Sequence, residues 1–396
     1  MTPNIREGPK TGRVWPAEDE TYTDPTSGAD VRRLTSHPGA GDWHLYFTEH
    51  GWYDDGRRLL FRSERDGTRQ LYTIDLETGI IEQVTDLAGF GGENAVDHEN
   101  ELVYVWVDDS LVSVDLRSFR VNDVHYEVPA GYTPGSFDVN ADGDTLYVAV
   151  MEEVRVGADE DSFRVKFEAE PYTKVLALPV DGGEPEVVRE TNAWANSHVL
   201  ASPTRAELFL YCEEGPWDEV DNRIWTVDAE TGETWQVRDV PEEGGVGHEY
   251  WMTGERVGYH GAHRDVEGKA GVADPEPFAG SARYDDTDHR EARLPSELYA
   301  LTHTHAVSPD QIVCDGTFDR VTYGLIYQWD DDRGDYEGPR ILATYDWYES
   351  GPHPHTRVSP DGEQVAFDSA RYDGSSNMYL VDIPDFEDLP KYEERD

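Results

Sequence analysis

DDGRRLLFRSERDGTRQLYTIDLETG, residues 54–79, alternates tight turns with short apolar strands. Asp-Gly is the pair that two-residue hairpin turns favour, because glycine takes positive φ without a Cβ clash. The stretch therefore reads as turn, strand, turn, strand ending in Asp, and a Thr-Gly turn that opens the next strand. Related copies are NADGDTLYVAV with KVLALPVDGG, the run from TRAELFLYC to RIWTVDAETG, and SPDGEQVAFDS with NMYLVDI. Helical periodicity is nearly absent.

Units of four short strands that bury their faces only against their neighbours are propeller blades. The first strands of successive units begin near Tyr46, Asn94, Ser136, Ser197, His248, His305 and His355, which predicts an all-β, seven-bladed β-propeller forming a single domain over residues 1–396. Dividing 396 residues by seven gives 57 per blade, above the roughly 40–45 of a compact blade. The excess is expected in loops. Residues 264–294, rich in Gly, Asp, Ala and Pro, read as an excursion from blade five.

The chain has 33 basic and 83 acidic side chains, a net charge of -50, with the acidic residues spread from end to end. At molar salt the screening length falls to about 3 Å, which quenches the self-repulsion while carboxylates keep the surface hydrated. A salt-adapted, cytoplasmic protein is the expectation. Nucleic acid and anionic membrane are excluded as partners, since no basic patch displaces counterions from phosphate. No apolar run approaches the roughly 20 residues of a membrane span, and the N-terminus, with Arg6, Lys10 and Arg13, has no signal-peptide core. Cys212 and Cys314 have no ligand spacing and read as buried small hydrophobes.

Innermost strands line a propeller's axial channel, so polar residues recurring on them converge. Blade six opens THTHAVSPD and blade seven HPHTRVSPDG. A Ser-Pro-Asp turn follows a histidine in both, which sets His305 and His355 at equivalent heights. His353 lies two residues before His355, on the same strand face. His303 relates to His305 in the same way but stands earlier. Three neutral imidazoles on one face suit a divalent transition metal with open positions for water or substrate. The alternative is imidazoles bonded to one another and to channel water. Blade five opens GHEYWMT and places His248 nearby, and CEEGPWDEVDNRIW in blade four carries Arg223. A histidine without metal and an arginine beside a metal pocket suggest proton abstraction from a carboxylated substrate. Against that reading, His248 would cap a turn, and Arg223 would pair with Asp218 or Asp221. Trp217 and Trp251 are candidates for stacking on sugar rings. No nucleophile elbow, phosphate loop or HExxH motif is present.

These segments resemble the oligogalacturonate lyases, seven-bladed propellers that degrade short pectin fragments by β-elimination. YTDPTSGADVRRLT, EGPWDEVDNRIW, GHEYW, HAVSPD and HPHTRVSPDGEQVAFDS resemble family segments in the same order along nearly the whole chain. The resemblance implies a manganese ion on His305, His353 and His355, and His248 and Arg223 as the proton-abstracting pair, with an oligogalacturonate substrate. The family's fourth ligand, a glutamine, falls on Ser350, and a family histidine falls on Glu213. Both departures leave open a lyase acting on another uronate oligosaccharide. The rival from a different class is a non-catalytic propeller of the TolB type that binds a protein or peptide and needs no metal. Such a scaffold has no reason to gather histidines in one pocket.

Overall fold

The computed structural model of the chain describes residues 5–216, 219–238, 244–263, 277–297, 303–318, 321–346 and 353–393. Seven antiparallel sheets follow one another as blades, and the helical segments are short, the α-helix Ser162–Glu168 and 3-10 turns such as Phe386–Asp388. None of the described helices is long and apolar enough to cross a membrane.

The Asp-x-x-Thr-Gly sequence has the same structure at both of its clearest occurrences. Asp75 Oδ1 accepts the backbone N–H groups of Glu77 and Thr78 at 3.1 and 2.9 Å, and Asp228 does the same for Glu230 and Thr231 at 3.1 and 2.9 Å. Gly79 and Gly232 close the two turns at φ 71 and 73, a region where a side chain is strained. The carboxylate takes up donors that the strand end leaves without ladder partners.

The innermost strands are Asp42–His44, Phe90–Asp97, Tyr132–Val139, Val199–Ala201, Gly244–Met252, Thr304–His305 and Arg357–Val358. They match the seven positions expected from the sequence. The blades pack through apolar faces: Leu60, Leu71 and Val84 of blade one, for example, meet Val103, Val105, Val112 and Val114 of blade two. Each such side chain contributes about 1.5–3 kcal/mol on full burial. Blade seven is closed by both ends of the chain. Glu20–Thr23 and Asp30–Arg33 form its outer strands, and Val31 pairs with Val381.

The expected excursion at 264–294 is in part blade. Phe278–Arg283 and Arg290–Arg293 are the third and fourth strands of blade five. Their Gly, Ala and Asp content reflects close strand approach: a Cβ on Gly280 would meet the Arg290 carbonyl at 2.2 Å. Residues 264–276 lie outside the described residues. Cys212 and Cys314 are both free and buried.

Candidate metal centre and active site

Histidines gather where the innermost strands of blades four to seven begin. The ligating atoms of His303, His353 and His355 lie within 4.8 Å of one another. His353 and His355 stand just ahead of the strand Arg357–Val358, His355 at φ 46, and their rings stack at 5.6 Å and 21°. His303 is buried, His355 half-buried and His353 exposed, so the trio opens toward solvent at His353. Burial, reinforced by His303, lowers the pKa of both His353 and His355. Neutral imidazoles at neutral pH are what a metal requires.

His303 takes the place expected for His305. The Ser-Pro-Asp serine follows His305 by three residues, Ser308, but follows His355 by four, Ser359. His305 turns into the blade, where its Nδ1 accepts the Val358 N–H at 3.1 Å and its ring stacks on Tyr250 at 4.8 Å, whereas His303 stands just ahead of the strand Thr304–His305. His303 is fixed from behind by buried Asp315, whose Oδ1 accepts both the His303 backbone N–H and its Nδ1–H at 3.0 Å. A histidine whose Nδ1 donates to a carboxylate offers Nε2 as the ligand. The other oxygen of Asp315 accepts Thr356 N–H at 3.3 Å, beside His355, so one carboxylate ties together the two blades that supply the trio.

His248 stands next to this cluster, 4.9 Å between ring centroids from His303. The register of its strand slips between Gly247 and Tyr250, and His248 sits at φ 53. A bulge of this kind re-aims side chains that would otherwise alternate. Its Nδ1 lies 2.5 Å from Nε2 of His260, and the two rings stack at 4.7 Å. Burial, then the neighbouring His260 and His303, hold the His248 pKa well below the ordinary histidine value.

Arg223 and Glu249 form the adjoining wall. Arg223 donates from Nε to Glu249 at 3.1 Å, and from Nη1 and Nη2 to Glu214 at 2.6 and 3.0 Å. Its partners are Glu214 and Glu249 rather than Asp221, and Asp218 lies outside the described residues. Burial alone would lower the Arg223 pKa, but the carboxylates raise it well above the ordinary value. Burial likewise pushes Glu214 up, and Arg223 and His198 outweigh it, leaving Glu214 at about 2. His198 spans the two carboxylates, Nε2 3.5 Å from Glu214 and Nδ1 3.7 Å from Glu249. His198, Cys212 and Glu249 also cluster closely enough to hold an ion. The guanidinium on Glu249 and a Cys212 thiol that burial keeps protonated make that cluster an ion-pair network instead.

A family model described as oligogalacturonate lyase matches residues 10–264. The chain belongs to the oligogalacturonate lyase family. With that membership it is an enzyme of the lyase class. The oligogalacturonide lyase of Pectobacterium atrosepticum is 25% identical over 391 residues, 94% of this chain and 98% of the relative. The oligogalacturonate lyase of Dickeya dadantii is 25% identical over 383 residues, 92% of this chain and 96% of the relative. Among solved structures, an oligogalacturonate lyase in complex with manganese superposes with TM-score 0.80 at 24% identity, covering 95% of this chain and 98% of the other. The Vibrio parahaemolyticus oligogalacturonate lyase gives TM-score 0.80 at 21% identity, with 95% and 99% covered. At these identities the superpositions speak for the fold.

Within this family site, several residues carry weak sequence signals. His198 follows Ser197 at the head of blade four's innermost strand, the position that bears histidine in blades five to seven, and that recurrence is its one signal. His260 and Asp315 lie on second strands and have none. Trp251 donates its indole N–H to the Leu200 carbonyl at 2.9 Å, which ties it to blade four. Trp217 and Ser350 lie outside the described residues. Glu213 accepts the Thr191 hydroxyl at 3.2 Å.

Proposed function

We propose that this chain cleaves short oligogalacturonates by metal-dependent β-elimination, with manganese or a similar divalent ion on His303, His353 and His355. The observation that carries the reading is the imidazole trio with its carboxylate backing from Asp315, a donor set suited to such an ion. Two relatives bear the name of this activity, and the manganese complex of a structural neighbour agrees with the ion.

Removal of the C5 proton of a galacturonate is hard because the adjacent carboxylate is already negative. A divalent ion in this site supplies Lewis-acid stabilisation of the charge that develops there, several kcal/mol in comparable enzymes. His248 accepts the proton: its depressed pKa keeps it neutral, and His260 fixes the ring. Arg223 holds its own protons too firmly to act as a base. Three of its five N–H groups serve Glu214 and Glu249, and the other two contribute positive charge toward the anionic substrate. Glu213, where the family carries histidine, favours as second reading another uronate oligosaccharide processed by the same elimination.

Protein purified without chelator tests the proposal on digalacturonate. Ultraviolet absorbance of an unsaturated uronate should appear, vanish with chelator and return with manganese. Saturated products, or a rate indifferent to chelator, would contradict it.

A further inference from the structure

Blade one lends the site no ligand, base or clamp, yet its innermost strand leaves its ladder to reach it. His44 pairs with Phe61 and Trp52 with Leu59, so residues 45–51 lie opposite Leu60 alone. This excursion crosses the axial channel. Tyr46 comes within 6.0 Å of His198 of blade four and 5.0 Å of His355 of blade seven, between ring centroids. Phe47, fully buried, packs with Tyr250 and Met252 of blade five and with Ile312 and Cys314 of blade six. The excursion is tied in place. Glu49 accepts the Tyr46 N–H at 3.0 Å and the Asn94 N–H of blade two at 3.2 Å, and it pairs with Arg62. The Phe47 carbonyl accepts an N–H of Arg357, on the innermost strand of blade seven. A bulge gives up ladder bonds to re-aim a side chain, commonly beside an active site. The side chain that this one carries into the histidine cluster is Phe47.

We propose that Phe47 is a positioning residue for the base, holding the His248 ring at the angle from which its free nitrogen meets the C5 proton. Among the described residues, three rings meet that of His248. His260 lies along it at 4.7 Å and 15° and shares a hydrogen bond with its Nδ1, which leaves Nε2 for the substrate. His303 stands to it at 4.9 Å and 66°, and Phe47 at 5.6 Å and 70°. A single hydrogen bond on Nδ1 allows the ring to tilt and Nε2 to swing. Phe47 and His303 block that motion, and His303 owes its own place to Asp315. Phe47 also touches the metal trio: its ring is 12° from parallel to His355 at 6.4 Å, and lies 6.4 Å from His303. One apolar ring thus keeps base and ligands in a common geometry. A displacement of about 1 Å in such a geometry costs on the order of 10²-fold in rate.

The assignment rests on the reading of His248 as the base, and a double-mutant cycle separates the two. Phe47→Ala should lose about 10- to 100-fold in kcat on digalacturonate with KM changed by less than about twofold. Its manganese content should match wild type, since Asp315 fixes His303 independently. Phe47→Leu, which refills most of the volume, should keep more of the rate. In a His248→Ala background, Phe47→Ala should alter the residual rate by less than about twofold, because a group that acts through His248 then has nothing to position. Should Phe47→Ala fail to fold, Phe47→Leu carries the same cycle. An equal loss in both backgrounds, or manganese lost in step with the rate, would make Phe47 ordinary packing and overturn the assignment. A His248→Ala enzyme as active as wild type would overturn the base reading itself, and this assignment with it.

Discussion

Arg223 grips Glu214 with both terminal nitrogens, at 2.6 and 3.0 Å, and holds Glu249 with Nε at 3.1 Å. All three side chains are buried. Lysine keeps the charge but has no fork, so Arg223→Lys strands at least one buried carboxylate oxygen. The expected cost is about 3–5 kcal/mol of stability, accompanied by a fall in turnover. Denaturant unfolding followed beside the steady-state rate checks this, and a variant matching wild type in both would show that the fork has no role.

Asp315 orients His303 and also bonds Thr356, next to His355. Asp315→Asn replaces an acceptor by an amide donor facing two N–H groups. Divalent metal affinity should fall about 10–100-fold while the blades remain folded. Calorimetric titration with manganese reads the change directly.

Burial, His260 and His303 keep the His248 pKa well below its ordinary value of about 6.5. The sign follows: a base with a depressed pKa stays neutral as pH falls, so the acidic limb of the turnover profile should lie below pH about 6.5. In His248→Ala, turnover should fall by about 10²–10⁴-fold and that limb should disappear. Profiles at saturating manganese would show it, and a limb that persists in the variant would move the base elsewhere.

With a net charge of -50, the fold is expected to depend on screening by salt. Lowering salt from 1 M to 0.1 M lengthens the screening distance from about 3 to about 10 Å, and unfolding should follow. Circular dichroism across that range tests the expectation; an unchanged spectrum and full activity at low salt would oppose it.

The seven blades were legible because each is a local pattern of Asp-Gly turns and short apolar runs, whereas the His353/His355 pair comes together ahead of the strand Arg357–Val358, with His355 at φ 46, and not through a strand's two-residue period. The closure of blade seven was not, since the pairing of Val31 with Val381 joins segments with no local signal for one another. The Ser-Pro-Asp turn points to His305, but that turn follows the histidine by three residues in blade six and by four in blade seven, so the two are not equivalent, and His303 stands ahead of the strand Thr304–His305, where no strand period signals its direction. The slip in register that re-aims His248 and Glu249 leaves no mark in GHEYW. The excursion at 264–294 overreached because glycine and alanine at a tightly packed strand resemble loop composition.

The metal centre is the claim on which most of the account depends, and it turns on which histidine of blade six takes part. Metal content by mass spectrometry after equilibration with manganese should show His303→Ala depleted and His305→Asn still loaded, with His353→Ala and His355→Ala depleted as well. A loaded His303→Ala beside a metal-free His305→Asn would contradict it.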